Sequence, residues 1–134
     1  MLTNQNVLAN SIEFKIKKDI INKNNMITEY YLKKYFFYYK AIYCYDNEIA
    51  YSIYSNKGYC IENIYYIKYN QLPIEVVSGF DKSQYWKYPI NKIIIIKRTY
   101  ITIYNIIINK RFGQKQYLYF DFNGRLISSN SSFF

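Results

Sequence analysis

Runs of aromatic and β-branched residues, separated by short turn signals, constrain the fold of this chain most. Tyr, Phe and Ile dominate the segments at 28–45, 49–55 and 91–110, the last with a bend, and such residues favour strands. The turn signal Asp46–Glu48 makes the second segment antiparallel to the first. An Asn-Gly pair at 123–124 predicts a closing hairpin with a type I′ turn, because both residues accept positive φ. The sequence therefore predicts one antiparallel sheet.

One amphipathic helix is predicted near the start of the chain. Ile12, Ile16 and Ile20 recur every four residues and therefore share one face. Ser11 is placed to cap the first turn of this helix. The segment at 59–70 fits a short helix or a strand, and both interpretations stay open. One antiparallel sheet with one or two helices on one face is an α+β arrangement.

The chain is strongly basic. Lys and Arg outnumber Asp and Glu by 18 to 9, which gives a net charge of +9. From Asp81 onward there are nine Lys or Arg and two acids. A basic surface attracts nucleic acid or acidic partners. Lys, Ile, Asn and Tyr also share A/T-rich codons, so codon bias explains the excess equally well, and the two explanations stay open.

Several chemistries are excluded by composition. The chain has no His, so imidazole metal ligands and a His general base are excluded. Its two cysteines, Cys44 and Cys60, make neither a disulfide framework nor a zinc site, and Cys44 is expected to be a small buried residue. No apolar run is long enough to span a bilayer.

Four segments, in this order, resemble the chorismate lyase superfamily, in particular the plastid-encoded chorismate-lyase-like proteins of algae. They are LANSIEFKIKK, YYKAIYCYDNEIAYSIYS, LPIEVV and FGQKQYLYFDFNGRLISSNSSFF. The regulatory UTRA ligand domains share that fold and end in a similar hairpin. The resemblance implies a single chorismate-lyase-like domain over 1–134, with a six-stranded antiparallel sheet and one or two flanking helices. It also implies the plastid stroma of an alga as the location, with the cytoplasm as the other expectation.

The same resemblance implies conversion of chorismate to 4-hydroxybenzoate and pyruvate, with no cofactor. The two family Arg positions fall on Lys40 and Ser52, which would bind the substrate. The family Glu falls on Asn130, whose amide cannot deliver a proton. Gln114 and Lys115 are further candidate contacts to the anionic substrate. Because the acid is replaced, the expectation is either a weakened enzyme or a protein that has lost the activity.

Two other functions stay open at this point. One is the same fold serving as a non-catalytic ligand-binding or structural subunit of a larger organellar assembly. The other is a small basic RNA-binding organellar protein, in which Tyr side chains would stack on bases. Without an RNA-binding motif, nucleic acid is the weaker prediction. The expected partners are therefore a small aromatic carboxylate or other proteins, with no membrane span.

Overall fold

The described part of the chain contains two α-helices and eight strands, and each helix is followed by four strands. The computed structural model describes the backbone of residues 4–133 and the side chains of residues 11–132. The elements are α1 (Asn4–Lys23), β1 (Tyr30–Lys34), β2 (Tyr38–Tyr45), β3 (Glu48–Ser55), β4 (Cys60–Ile67), α2 (Ile74–Asp81), β5 (Ile90–Arg98), β6 (Thr102–Asn109), β7 (Gln114–Phe120) and β8 (Leu126–Phe133). Each helix precedes four strands, and the strands form one open antiparallel sheet in chain order. The α+β prediction is confirmed, whereas the sheet has eight strands rather than six and a UTRA-like fold is not confirmed.

The chain divides into two compact units, which we call unit 1 (Met1–Asn63) and unit 2 (Ile64–Phe134). Unit 1 contains α1 and the strands β1, β2 and β3, while unit 2 contains α2 and the strands β5 to β8. The segment at 59–70, which fitted a helix or a strand, forms β4 and a short 3-10 turn. The start of β4 belongs to unit 1 and its end to unit 2.

Helix α1 begins earlier than predicted. It starts at Asn4, so Ser11 lies inside the helix and its predicted role as a cap was wrong. The residues before Ser11 include Leu and Ala, which are strong helix formers and extend the helix. Ile16 and Ile20 are fully buried on one face, as their spacing predicts.

The segment at 28–45 contains two strands, β1 and β2, joined by an unpredicted turn at 35–37. β2 pairs with β3 along its full length. The two residues between them, Asp46 and Asn47, both have positive φ, at 51° and 66°. A type I′ turn therefore lies here, because Asp and Asn tolerate the left-handed region better than most residues.

One face of β2 and β3 packs against α1. Alternate side chains on this face are buried, namely Tyr39, Ala41 and Tyr43 of β2 and Ala50, Ser52 and Tyr54 of β3. Tyr54 donates a hydrogen bond from its hydroxyl to the Asp19 carboxylate of α1 over 2.6 Å. The other side chains of β2 and β3 therefore lie on the face turned away from α1.

Helix α2 packs against one face of β5, β6 and β7 and closes the core of unit 2. The buried cluster contains Leu72, Val76, Phe80, Ile93, Ile95, Tyr104, Ile106, Ile108, Leu118 and Phe120. Phe80 and Phe120 meet edge to face, with ring centroids 6.5 Å apart. Burial of such side chains contributes about 1.5–3 kcal/mol each. Period-two alternation then places the remaining side chains of these strands on the opposite face.

Two turns of unit 2 differ from the prediction. The segment at 91–110 is not one bent strand but β5 and β6 joined at 99–101. In the closing hairpin Gly124 has positive φ, at 84°, but Asn123 does not, so a type I′ turn there was wrong. Asp121 shapes the turn instead, because its carboxylate accepts hydrogen bonds from the backbone N–H groups of Asn123 (2.9 Å) and Arg125 (3.0 Å).

Candidate functional site

The face of unit 2 opposite α2, which we call the outward face, carries aromatic and aliphatic side chains between lysines. Its members are Lys92, Ile94 and Ile96 of β5, Ile103, Asn105 and Ile107 of β6, and Lys115, Tyr117 and Tyr119 of β7. The strand register places Asn105 between Ile94 and Tyr119. Most of these side chains are half-buried, so they form a continuous side-chain surface across three strands.

Asn105 lies at the centre of the outward face with an unpaired carbonyl oxygen. The residue is 6% exposed, and its Oδ1 has no hydrogen-bond partner among the residues that the structure describes. Its neighbours on the same face of β6, Ile103 and Ile107, are aliphatic. A buried carbonyl left without a donor costs about 1–3 kcal/mol. Because Oδ1 is closed to solvent, a bound partner would recover this free energy only by displacing the side chains that cover the atom and supplying a donor.

Lysines border the outward face, and the sequence of its three strands contains no acid. Residues 89–120 include six Lys or Arg and no Asp or Glu. Lys92 and Lys115 lie on the face itself, and Lys92 Nζ is 4.8 Å from the centre of the Tyr66 ring. An apolar, aromatic centre within a polar border is typical of a protein-binding surface. A cationic border complements an acidic partner.

A cleft of about 600 Å³ lies in unit 2 where β4 ends and β5 begins. Its walls include the aromatic side chains of Tyr69, Trp86 and Tyr88 together with Lys92. The register of β5 shifts between Ile90 and Lys92, and a bulge of this kind re-aims nearby side chains. The cleft is also lined by Phe80, Asp81 and Ile93, so it lies on the α2 side of the sheet, and Lys92 is the one residue that it shares with the outward face.

Two of the predicted site residues, Lys40 and Ser52, lie on opposite faces of unit 1. Ala41 is opposite Ser52 in the register, so Lys40 points to the other side. Lys40 Nζ lies 4.5 Å from the centre of the Tyr51 ring. Ser52 is fully buried, and its hydroxyl bonds the Asn63 amide oxygen (2.6 Å) and the Tyr43 hydroxyl (2.7 Å). The structure therefore does not bring these two side chains together.

The other three predicted site residues lie on the last two strands. Asn130 is opposite Tyr117, so Asn130 and Lys115 share the outward side of unit 2. Gln114 neighbours Lys115 on β7 and therefore points to the side of α2. The structure brings Lys115 and Asn130 to one face and leaves Gln114 on the other, and a binding role for each stays a prediction.

Sequence reasoning missed Asn105 and Tyr119. Asn105 interrupts the run TIYNIIIN, in which its neighbours are mostly aliphatic. A lone amide in a strand this apolar was a usable signal, because a buried amide needs a partner. Its carbonyl could only be recognised as unpaired once the register with β5 and β7 was known.

A hydrogen-bonded network joins α1 to β3 and β4 within unit 1. Lys23 contacts the Asp19 carboxylate and donates to the Tyr54 hydroxyl over 3.1 Å, and its Nζ lies 3.9 Å from Cys60 Sγ. Burial, reinforced by the hydrogen bond to Asp19, raises the pKa of Tyr54. Burial also raises the pKa of the Cys60 thiol, although Lys23 opposes this. The thiol is therefore neutral and a poor nucleophile, and the network links elements of the fold.

Two kinds of feature are absent from the part of the chain that the structure describes. No three or more Cys, Asp or Glu side chains are grouped so that they could hold a metal ion. No helix is both long and apolar enough to cross a membrane.

A helix followed by four strands, occurring twice on one antiparallel sheet, defines the class of fold. A candidate periplasmic protein of Bacteroides eggerthii matches with a TM-score of 0.73 and 11% identity, over 89% of this chain and 88% of that chain. A DUF2874 family protein of Bacteroides uniformis matches with a TM-score of 0.72 and 11% identity, over 87% of each chain. A BLIP-like protein of Bacteroides fragilis matches with a TM-score of 0.71 and 18% identity, over 90% and 86%.

At these identities the likeness shows the fold alone. No protein-family model and no curated protein matches the chain. The class of protein is thus defined by architecture, as an α+β protein with the fold of these Bacteroides structures.

The resemblance to chorismate lyase was wrong. The solved structures with this fold are DUF2874 and BLIP-like proteins, and nothing in them points to the conversion of chorismate. The four matched segments fall in α1, the β2–β3 hairpin, the start of α2 and the β7–β8 hairpin. Their alternating apolar residues fit any sheet with a helix packed on it, so they do not distinguish one such fold from another.

The predicted location and the organellar roles were wrong for the same reason. The matching structures come from bacteria of the genus Bacteroides, and one of them is a candidate periplasmic protein. They overturn the plastid stroma of an alga, and with it an organellar assembly subunit or organellar RNA-binding protein.

Proposed function

We propose that this chain is a non-catalytic binding protein, and that the outward face of unit 2 binds an acidic surface of a partner protein. One observation carries the proposal. Asn105 holds a buried, unpaired carbonyl oxygen at the centre of a surface that is aromatic, aliphatic and bordered by lysine. A partner that displaces the side chains covering this oxygen and donates a hydrogen bond to it removes a cost that the free protein bears.

The side chains around Asn105 support the same conclusion. Tyr117 and Tyr119 offer large, rigid contact areas, and aromatic residues are enriched at the centres of interfaces. Lys92 and Lys115 would pair with carboxylates at the edge, where they speed association and favour acidic partners. Lys115 and Asn130, both predicted as binding residues, belong to this proposed surface.

A selection experiment tests the proposal without a known partner. Random peptides displayed on phage are selected on the immobilised protein, and the dissociation constants of the selected peptides are measured by calorimetry. We expect the selected peptides to combine Asp or Glu with an apolar residue. The variant Tyr119→Ala should weaken binding by about tenfold or more, the effect of truncating a residue at the centre of an interface.

A matched control is available in unit 2. Tyr100 is 94% exposed in the turn between β5 and β6 and is not one of the outward-face side chains, so Tyr100→Ala should leave peptide affinity unchanged. Peptides that lack acids, or that bind wild type and Tyr119→Ala equally, would overturn the proposal. Tight binding of single-stranded RNA that Tyr119→Ala abolishes, without acidic peptides being selected, would assign the surface to nucleic acid and overturn it too.

A further inference from the structure

The turn between β1 and β2 carries two adjacent phenylalanines at its tip, and we call residues 35–38 the aromatic tip. Phe36 is 85% and Phe37 is 73% exposed. Their rings meet edge to face with centroids 4.5 Å apart. Single exposed apolar residues are ordinary on protein surfaces. A contiguous pair at the end of a hairpin is a different feature and is a candidate interaction site.

A backbone hydrogen bond and a stacked ring pair close the base of the aromatic tip. The Tyr35 N–H donates to the Tyr38 carbonyl over 2.8 Å. The rings of Tyr35 and Tyr38 stack with centroids 4.6 Å apart and planes 13° from parallel. The two phenylalanines are therefore presented on a closed turn, which lowers the entropy that binding would cost.

Positive charge surrounds the aromatic tip. Lys33 and Lys34 precede it on β1 and Lys40 follows it on β2, while Asp and Glu are absent from the sequence of residues 30–45. Lys33 Nζ lies 5.0 Å from the centre of the Tyr35 ring. From the end of the turn inward, the order of side chains is thus Phe, Tyr and then Lys.

This order matches the layers of an anionic lipid surface. Apolar side chains enter the boundary of the acyl chains, Tyr side chains prefer the level of the headgroups, and Lys side chains pair with anionic phosphates. A flat anionic surface meets lysines on both strands of the hairpin at once, whereas a protein pocket would need acids arranged around one aromatic slot.

The second turn at the same end of unit 1 has similar chemistry. Antiparallel pairing of β1, β2 and β3 places the turn after β3 beside the aromatic tip. This turn contains Lys57 and Tyr59, the latter 62% exposed. Lys15 Nζ lies 3.3 Å from the centre of the Tyr59 ring. We propose that unit 1 docks on anionic lipid bilayers by inserting Phe36 and Phe37, with the neighbouring lysines on the headgroups.

Vesicle binding tests this docking. The full-length protein is sedimented with vesicles of equimolar phosphatidylglycerol and phosphatidylcholine, and with vesicles of phosphatidylcholine alone. We expect binding to the anionic vesicles, and a loss of about tenfold or more in the double variant Phe36→Ser/Phe37→Ser. Phe112→Ser is the control, because Phe112 is a 94% exposed phenylalanine in a turn of unit 2, and it should bind like wild type.

Fluorescence then separates insertion from adsorption. The variant Phe37→Trp/Trp86→Phe has its only tryptophan in the aromatic tip, because Trp86 is the single tryptophan of the chain. Brominated lipids should quench this tryptophan but not the native Trp86 of unit 2. Absence of vesicle binding would overturn the proposal. So would equal binding of wild type and Phe36→Ser/Phe37→Ser, which would assign the attraction to overall charge.

Discussion

Asn105 shows how one unpaired atom can link stability to binding. The cost of its buried Oδ1 falls on the free protein, since no described residue donates to it. Binding sites often keep residues that destabilise the free protein, because the residue that would stabilise it best is not the one that the partner needs.

The variant Asn105→Leu tests this link. Leu has the same number of side-chain heavy atoms and the same branch point at Cγ without the unpaired carbonyl, so we expect the free energy of unfolding to rise by about 1 kcal/mol. The same change should weaken the selected peptides, because their donor then has no acceptor. Urea unfolding measures the first effect and calorimetry the second. A variant that is both less stable and equally able to bind would contradict the role given to Oδ1.

The two cysteines differ in environment, and this corrects a prediction. Cys44 was expected to be buried, but it is exposed, because its place on β2 puts it on the face turned away from α1. Cys60 is half-buried, and burial raises the pKa of its thiol. Alkylation needs the thiolate. We therefore expect iodoacetamide to modify Cys44 at least about tenfold faster than Cys60 near pH 8.

Mass spectrometry of peptides taken during the reaction gives both alkylation rates in one experiment. Cys44→Ser should remove the fast phase and leave the slow one. Equal rates at the two sites in the folded protein would show that Cys60 is open to solvent, against the structure.

At the scale of the elements, α2 and the turn of the closing hairpin approach each other so closely that no side chain fits between their backbones. A Cβ atom built on Gly79 would lie 1.9 Å from the Gly124 carbonyl oxygen, and one built on Gly124 would lie 1.9 Å from the Glu75 carbonyl oxygen. Both neighbours are backbone atoms, which cannot rotate away as a side chain can. Glycine is thus required at both positions for α2 to rest on this turn.

Gly79→Ala should therefore destabilise the protein although alanine favours helices. Overpacking of this kind costs about 1–3 kcal/mol, and we expect the upper end because backbone must move. The matched control is Ser78→Ala on the same helix, which should change the free energy of unfolding by less than about 1 kcal/mol. A Gly79→Ala protein as stable as wild type in urea would show that the helix can move away without cost.

For the whole molecule, the strand content could be predicted from the sequence but the strand count could not. Tyr, Ile and Phe mark every strand-rich segment, and the hairpins around Asp46 and Asn123 carry ordinary polar turn residues. The turns at 35–37 and 99–101 are Tyr-Phe-Phe and Thr-Tyr-Ile. They lack Gly, Pro, Asn and Asp, so each pair of strands looked like one long strand.

The candidate site was predictable only in part. Lys115 and Asn130 were singled out and lie on the outward face, where alternation from a known strand would place them. The unpaired state of Asn105 can be recognised only when the register of three strands is known. That register depends on turns that could not be identified from the sequence. The family resemblance was wrong for a related reason: an alternating apolar pattern predicts a strand but does not predict which strands pair with it.

Stability of the whole molecule should fall in alkali, because both units bury groups that lose a proton there. Burial raises the pKa of Tyr54 and Cys60 in unit 1 and of Tyr104 in unit 2. In the unfolded chain they titrate near their ordinary values, about 8.5 for Cys and about 10 for Tyr. The folded state therefore keeps these protons to higher pH. The associated stability is complete below about pH 8 and is lost as the pH rises further.

Urea unfolding between about pH 8 and pH 11 measures this loss, with an expected slope of up to about 1.4 kcal/mol per pH unit for each group. The variant Tyr54→Phe isolates the largest contribution. It is less stable at neutral pH because Asp19 and Lys23 lose the hydroxyl, but its stability should fall less steeply in alkali, by about one proton. The two proteins differ in this hydroxyl alone, so the difference between the two slopes is assigned to Tyr54. Identical slopes would mean that its hydroxyl ionises as easily in the folded protein as in the unfolded chain.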